Sequence, residues 1–354
     1  MKNRLFFILP ISCLFLAGCI FPEQKFDRFF AWSLPQTEEM VAKSAALGVT
    51  DAVVSHGNAK QLALARKYGI RAYPCLVPQH SLWKQRRPDQ EAPLQVMSAS
   101  QEALHKFRWV DKAEGADLPS HHGGEPPFDI STGKYLPDVL PTRLLCLGSP
   151  AVRQMCQEYL SEMCANPDYA GIAFDFVGFM NFRRCHCQDC QAKLEEYCRT
   201  NQPAAASGLN QEETFFLEQL VSFYREMIAH IKAQRPEMLT FAHLYPAFLP
   251  EPLYGRQLGL DFCAETAAWY FPWPEAKIRA YSQRISQYPG GVHFIGYYNT
   301  PLSNFPEKNP ALVERELRAM LSGGAVHLSV CGFAHVLKNP DIYAVFKRYL
   351  RHAK

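Results

Sequence analysis

Eight short apolar runs recur along this chain, and amphipathic stretches long enough for helices lie between them. The runs are Arg28–Leu34, Thr50–Ser55, Ile70–Val77, Ala170–Asp175, Leu239–Tyr245, Leu260–Thr266, Val292–Tyr298 and Ala325–Cys331. Short, nearly continuous apolar segments are what strands buried on both faces look like. Helices are expected at about 37–47, 58–69, 150–165, 187–200, 211–234, 275–287, 310–322 and 340–351. Strands alternating with helices predict a parallel sheet with crossover helices. Eight such units predict an α/β fold, a closed (β/α)8 TIM barrel with a long insertion after strand three. An open, doubly wound sheet is the competing arrangement. No glycine-rich phosphate loop follows the first run, which counts against it.

The 354 residues divide unevenly around that pattern. Residues 1–18 read as a targeting segment: Lys2 and Arg4 precede a short apolar stretch, Leu5 to Leu16. That stretch is too short for a bilayer span, which needs about 20 apolar residues. Leu16-Ala17-Gly18-Cys19 is similar to a bacterial lipobox, which implies cleavage before Cys19 and lipidation of its thiol. The expected products are a tether at 19–27 and a barrel at 28–354, attached to a bacterial membrane outside the cytoplasm. Ile20 is not the aspartate associated with inner-membrane retention, so outer-membrane sorting is compatible with the sequence. The insertion, 78–142, is rich in proline and follows the third strand, where it would rise over the active-site face. A net charge of +3 is too small to indicate a nucleic-acid partner.

In a barrel of this kind, chemistry sits where the strands finish. Two carboxylates stand there, Asp175 after strand four and Glu265 after strand six. Paired carboxylates between aromatic walls are what cleavage of a glycosidic bond requires: one protonates the leaving oxygen, the other attacks or stabilises the oxocarbenium-like centre. Aromatic faces stack on the apolar C–H faces of sugars. Trp32, His56, His80, His243, Tyr245, Trp269, Tyr298 and Asn299 are the candidate substrate-binding residues at the strand ends. No H-E-x-x-H and no G-x-S-x-G occurs, which removes support for metalloprotease and serine-hydrolase chemistry. The reading is a glycoside hydrolase-like barrel with a carbohydrate substrate. A catalytically inactive glycan-binding barrel and a barrel enzyme of other chemistry compete with it.

Twelve cysteines are many for this length, and three of them crowd together as Cys185-x-Cys187-x-x-Cys190. Three thiolates at this spacing suit a metal and need a fourth ligand from elsewhere. Cys146 is the best placed, just before Ser149-Pro150, which reads as the start of a helix. Disulfides are the competing use of these cysteines, since an exported protein meets an oxidising compartment.

Three segments, C-L-G-S-P-A-V-R from Cys146, G-I-A-F-D from Gly171 and C-H-C-Q-D-C from Cys185, together resemble the family-42 β-galactosidases. The resemblance covers about residues 146–198. It implies a structural zinc held by Cys146, Cys185, Cys187 and Cys190. It does not extend to that family's catalytic acids. The Asn-Glu pair of its fourth strand is replaced here by Phe176-Val177, and the seventh strand carries no acid. Acids on strands four and six are instead similar in placement to those of retaining α-glycosidases, whose strand-four aspartate is the nucleophile.

Overall fold

The computed structural model describes residues 25–78, 128–129, 134–135, 145–177, 185, 187–201, 209–244, 255–268, 273–297 and 308–351. Its strands are β1 (Arg28–Ala31), β2 (Asp51–Val54), β3 (Arg71–Leu76), β4 (Phe128–Asp129), β5 (Lys134–Tyr135), β6 (Gly171–Val177), β7 (Leu239–Leu244), β8 (Phe262–Ala268), β9 (Gly291–Gly296) and β10 (His327–Cys331). The helices are α1 (Glu38–Leu47), α2 (Ala59–Lys67), α3 (Pro150–Cys164), α4 (Gln188–Thr200), α5 (Gln211–Gln234), α6 (Glu275–Ile285), α7 (Pro310–Ser322), α8 (Phe333–Lys338) and α9 (Pro340–Tyr349). Eight parallel strands close a barrel in the order β1-β10-β9-β8-β7-β6-β3-β2. This is the (β/α)8 architecture that the alternating runs predict. The insertion after β3 contributes the small antiparallel pair β4–β5. Helix α8 was not expected; it begins after Gly332, whose φ of 73° turns the chain sharply behind β10.

Side chains sort by parity along the strands. Phe30 turns inward and stacks on Phe241 at 4.5 Å and against Phe262 at 5.3 Å, filling the barrel axis. Its neighbour Phe29 turns outward, meeting Phe333 of α8 and Phe346 of α9. The N-terminal ends of the strands are closed by a polar plug. Asp51, fully buried, accepts from Arg28, Arg71 and the Tyr73 hydroxyl. At the same end the chain returns to its start. Phe26 N–H donates to Tyr349 O at 2.9 Å, Arg351 N–H donates to Phe26 O at 3.2 Å, and Arg351 pairs with Asp27.

The helices start where the sequence supplies caps. The Asn58 side chain accepts from Gln61 N–H at the start of α2. Asn210 and Glu213 form a reciprocal capping box on α5. No described helix is long and apolar enough to cross a membrane. The expected leader and Cys19 lie outside the described residues.

Candidate active site and metal centre

Strand β6 carries Asp175 to the barrel mouth. Phe174 turns outward against Tyr224 of α5, ring centroids 5.5 Å apart, so Ala173 and Asp175 face inward. The register between β6 and β7 shifts between Phe174 and Val177, a bulge of the kind that re-aims side chains beside functional sites. On β7, Phe241 belongs to the axial stack, and His243, two residues on, points the same way. The His243 ring lies 3.6 Å from that of Phe294, nearly parallel, and 5.5 Å from Trp32 edge-on. Its Nδ1 is 4.0 Å from Asp175 Oδ1. Asp175 is 8% exposed and His243 1%, so the pair sits at the bottom of the mouth rather than on its rim. Cys75 of β3 adjoins them; burial, and then the charge of Asp175, pushes its thiol well up.

Of the residues expected from sequence, the structure therefore brings Trp32, Asp175 and His243 together, with Phe294 as an unanticipated floor. Two expectations need correction. Glu265 was expected to face Asp175 across the mouth. Phe262 is in the axial stack, so Ala264 and Thr266 face inward, and Cys263 and Glu265 face the helices. Glu265 Oε1 accepts from Gly255 N–H at 2.9 Å. A Cβ on Gly255 would lie 2.5 Å from that oxygen and 2.4 Å from Cys263 Sγ, so only glycine fits. Burial raises the Glu265 carboxyl to about 7, against the lowering effects of the Gly255 N–H and of Arg284 and Arg256. It has the proton affinity of a general acid on the wrong face of its strand. His56 is the second correction. It turns outward, with Nδ1 3.1 Å from the Tyr169 hydroxyl and its ring edge-on to Tyr159 of α3. His80, Tyr245, Trp269, Tyr298 and Asn299 lie outside the described residues.

The thiol cluster is assembled from two turns. Ser149 N–H donates to Cys146 O at 3.1 Å, a tight turn that presents Cys146 just before α3. Cys187 is the N-cap of α4 and Cys190 lies in its first turn, where the helix dipole favours a thiolate. The four sulfurs of Cys146, Cys185, Cys187 and Cys190 all lie within 4.8 Å of one another, and Cys146 Sγ is 3.5 Å from Cys190 Sγ. Tetrahedral zinc with bonds of about 2.3 Å sets sulfurs about 3.8 Å apart, so the donor set fits a metal ion. Hydrogen bonding to Cys185 and Cys190, then burial, pushes the Cys146 thiol far above its usual range. Such a cluster holds thiolates together only around a cation. None of the ten described cysteines forms a disulfide.

No protein-family model and no curated protein matches this sequence. Solved structures do resemble it. The glycoside hydrolase domain of PgaB (BpsB) from Bordetella bronchiseptica superposes with a TM-score of 0.59 at 12% identity, over 93% of this chain and all of that one. Gan42B, a GH42 β-galactosidase from G. stearothermophilus, gives 0.58 at 10% identity over 92% of this chain. A β-galactosidase from the haloarchaeon Halorubrum lacusprofundi gives 0.53 at 12% identity over 90%. This chain spans only 56% and 57% of those two β-galactosidases. Likeness at this level of identity establishes the fold alone: the chain is a closed (β/α)8 barrel.

Proposed function

We propose that this chain is a glycoside hydrolase-like barrel acting on glycans outside the cytoplasm. The observation that carries the reading is Asp175, held inward at the C-terminal ends of the strands beside His243, Trp32 and Phe294. Hydrolysis of a glycosidic bond adds water across it: the leaving oxygen gains a proton, and the anomeric carbon gains the hydroxyl. Asp175 is the group proposed to attack or stabilise the anomeric centre. His243 is proposed to orient Asp175 and to meet a sugar hydroxyl, and Trp32 to stack on the ring. His80, Tyr245, Trp269, Tyr298 and Asn299 complete the proposed substrate contacts from their positions after the strands. In a two-carboxylate reaction, the proton donor is then sought in the segments that follow the strands, not on β8.

A second reading, a glycan-binding barrel without turnover, draws on one specific observation. Of the carboxylates within the eight barrel strands, Asp51 plugs the far end, Glu265 faces outward, and Asp175 alone faces the mouth. The test is a panel of oligosaccharides differing in sugar, linkage and anomer, with release of new reducing ends followed by mass spectrometry. Asp175→Asn is expected to abolish release and to retain binding, whereas Glu265→Gln keeps turnover within a few-fold of wild type. Activity that survives in Asp175→Asn rejects Asp175 as the reacting group. A wild-type protein that binds chains and never cleaves them favours the second reading.

One structural zinc at Cys146, Cys185, Cys187 and Cys190 is part of the proposal, supported by the fit of four convergent thiols. Elemental analysis of purified protein is expected to find about one zinc per chain, as a closed site of four thiolates implies. Metal-free protein with all four cysteines oxidised would argue for disulfides.

A further inference from the structure

Gln219 of α5 reaches the thiol cluster from a third direction. Its Nε2 lies 3.9 Å from Cys190 Sγ. Gly148 closes over the same spot: a Cβ there would come 2.9 Å from Gln219 Nε2, 3.2 Å from Cys190 Sγ and 3.5 Å from Cys146 Sγ. The absence of a side chain at 148 is what leaves room for the amide against the sulfurs. Gln219 Oε1 is buried and has no hydrogen-bond partner among the described residues. An amide oriented by its oxygen would point that oxygen at a partner; this one points its N–H groups at sulfur. A thiolate can only accept, so the donor end of the amide is the end that suits it.

We infer that Gln219 is a positioning residue for the metal centre, donating an N–H to the Cys190 thiolate when the metal is bound. The inference rests on the metal reading above. Four thiolates around a divalent cation leave a net negative charge on the sulfurs. A donor on one of them withdraws part of that charge and resists protonation and loss of the ligand. Cys190 already lies in the first turn of α4. Gln219 adds a donor from a different helix, so the centre joins the start of α3, the start of α4 and the middle of α5.

The test uses the full chain loaded with Co2+, whose thiolate charge-transfer absorption reports the sulfurs directly. Gln219→Leu removes the donor; Gln219→Glu keeps the length and replaces the donor with a charged acceptor. Both are expected to lose metal to a chelator about 10–100-fold faster than wild type, with a moved charge-transfer band, Glu more than Leu. The metal-free, reduced forms of all three proteins are expected to melt together, which a merely structural role for Gln219 would not give. Release rates within twofold of wild type and an unchanged band in both variants overturn the inference alone. A wild-type chain that takes up no cobalt overturns the metal reading and this inference with it.

Discussion

Glu265 is nearly sealed from solvent, and its carboxyl is raised from an ordinary 4.5 to about 7. A raised acid is one whose fold prefers the protonated form. Its contribution is intact below pH 4.5 and is lost as pH rises towards 7, because the unfolded chain releases that proton first. At about 1.4 kcal/mol per pH unit, the window is worth about 3 kcal/mol. Glu265→Gln keeps an oxygen for Gly255 N–H and cannot ionise. Its melting temperature is therefore expected to gain on wild type between pH 5 and pH 7 and to level off above that, by calorimetry. A constant difference across that range would show that Glu265 does not titrate in the folded protein. The placement of this residue was not legible in the sequence. C-A-E-T is apolar on both sides because a barrel strand is buried on both faces, so no alternation marks the inward side. Asp175 was legible, since it ends an apolar run. His243 was legible as a strand-end residue, but its stacking on Phe294 brings together strands far apart in sequence.

At the scale of the element, the short first strands depend on Asp51. It stands at the start of β2 and takes hydrogen bonds from Arg28 on β1 and from Arg71 and Tyr73 on β3, drawing three neighbouring strands together where their pairing begins. Burial alone would raise this carboxyl, but Arg28 and Arg71 hold it below the ordinary carboxylate range. Asp51→Asn leaves two guanidinium groups facing each other with no anion between them. The expected loss is about 3–5 kcal/mol, measured by urea unfolding at neutral pH. A loss under 1 kcal/mol would show that solvent reaches and compensates the arginines. Helix limits were largely legible here because caps and breakers are local: Asn58, Pro150, Asn210 and Pro310 each stand where their helix begins. The plug was not, since Asp51 reads as one acid at the head of an apolar run until its strand neighbours are known.

For the whole molecule, the order of strands followed from the count and alternation of the apolar runs, and closure makes β1 and β10 neighbours. The proposed lipid on Cys19 gives a direct test. Cys19→Ser is expected to move the protein from the membrane to the soluble fraction of a cell lysate, and unchanged fractionation would reject the anchor. The chain enters the barrel at the end plugged by Asp51, where Phe26 pairs with the returning segment at Leu350. Asp175 and His243 lie near the opposite ends of their strands. Residues 19–25 at full stretch span about 20 Å. If Cys19 carries the proposed lipid, the protein would be moored close by its plugged end, with its opening facing away from the bilayer. Such an orientation suits polymers arriving from the surroundings or strung between cells, and disfavours sugars still attached to lipids of the same leaflet.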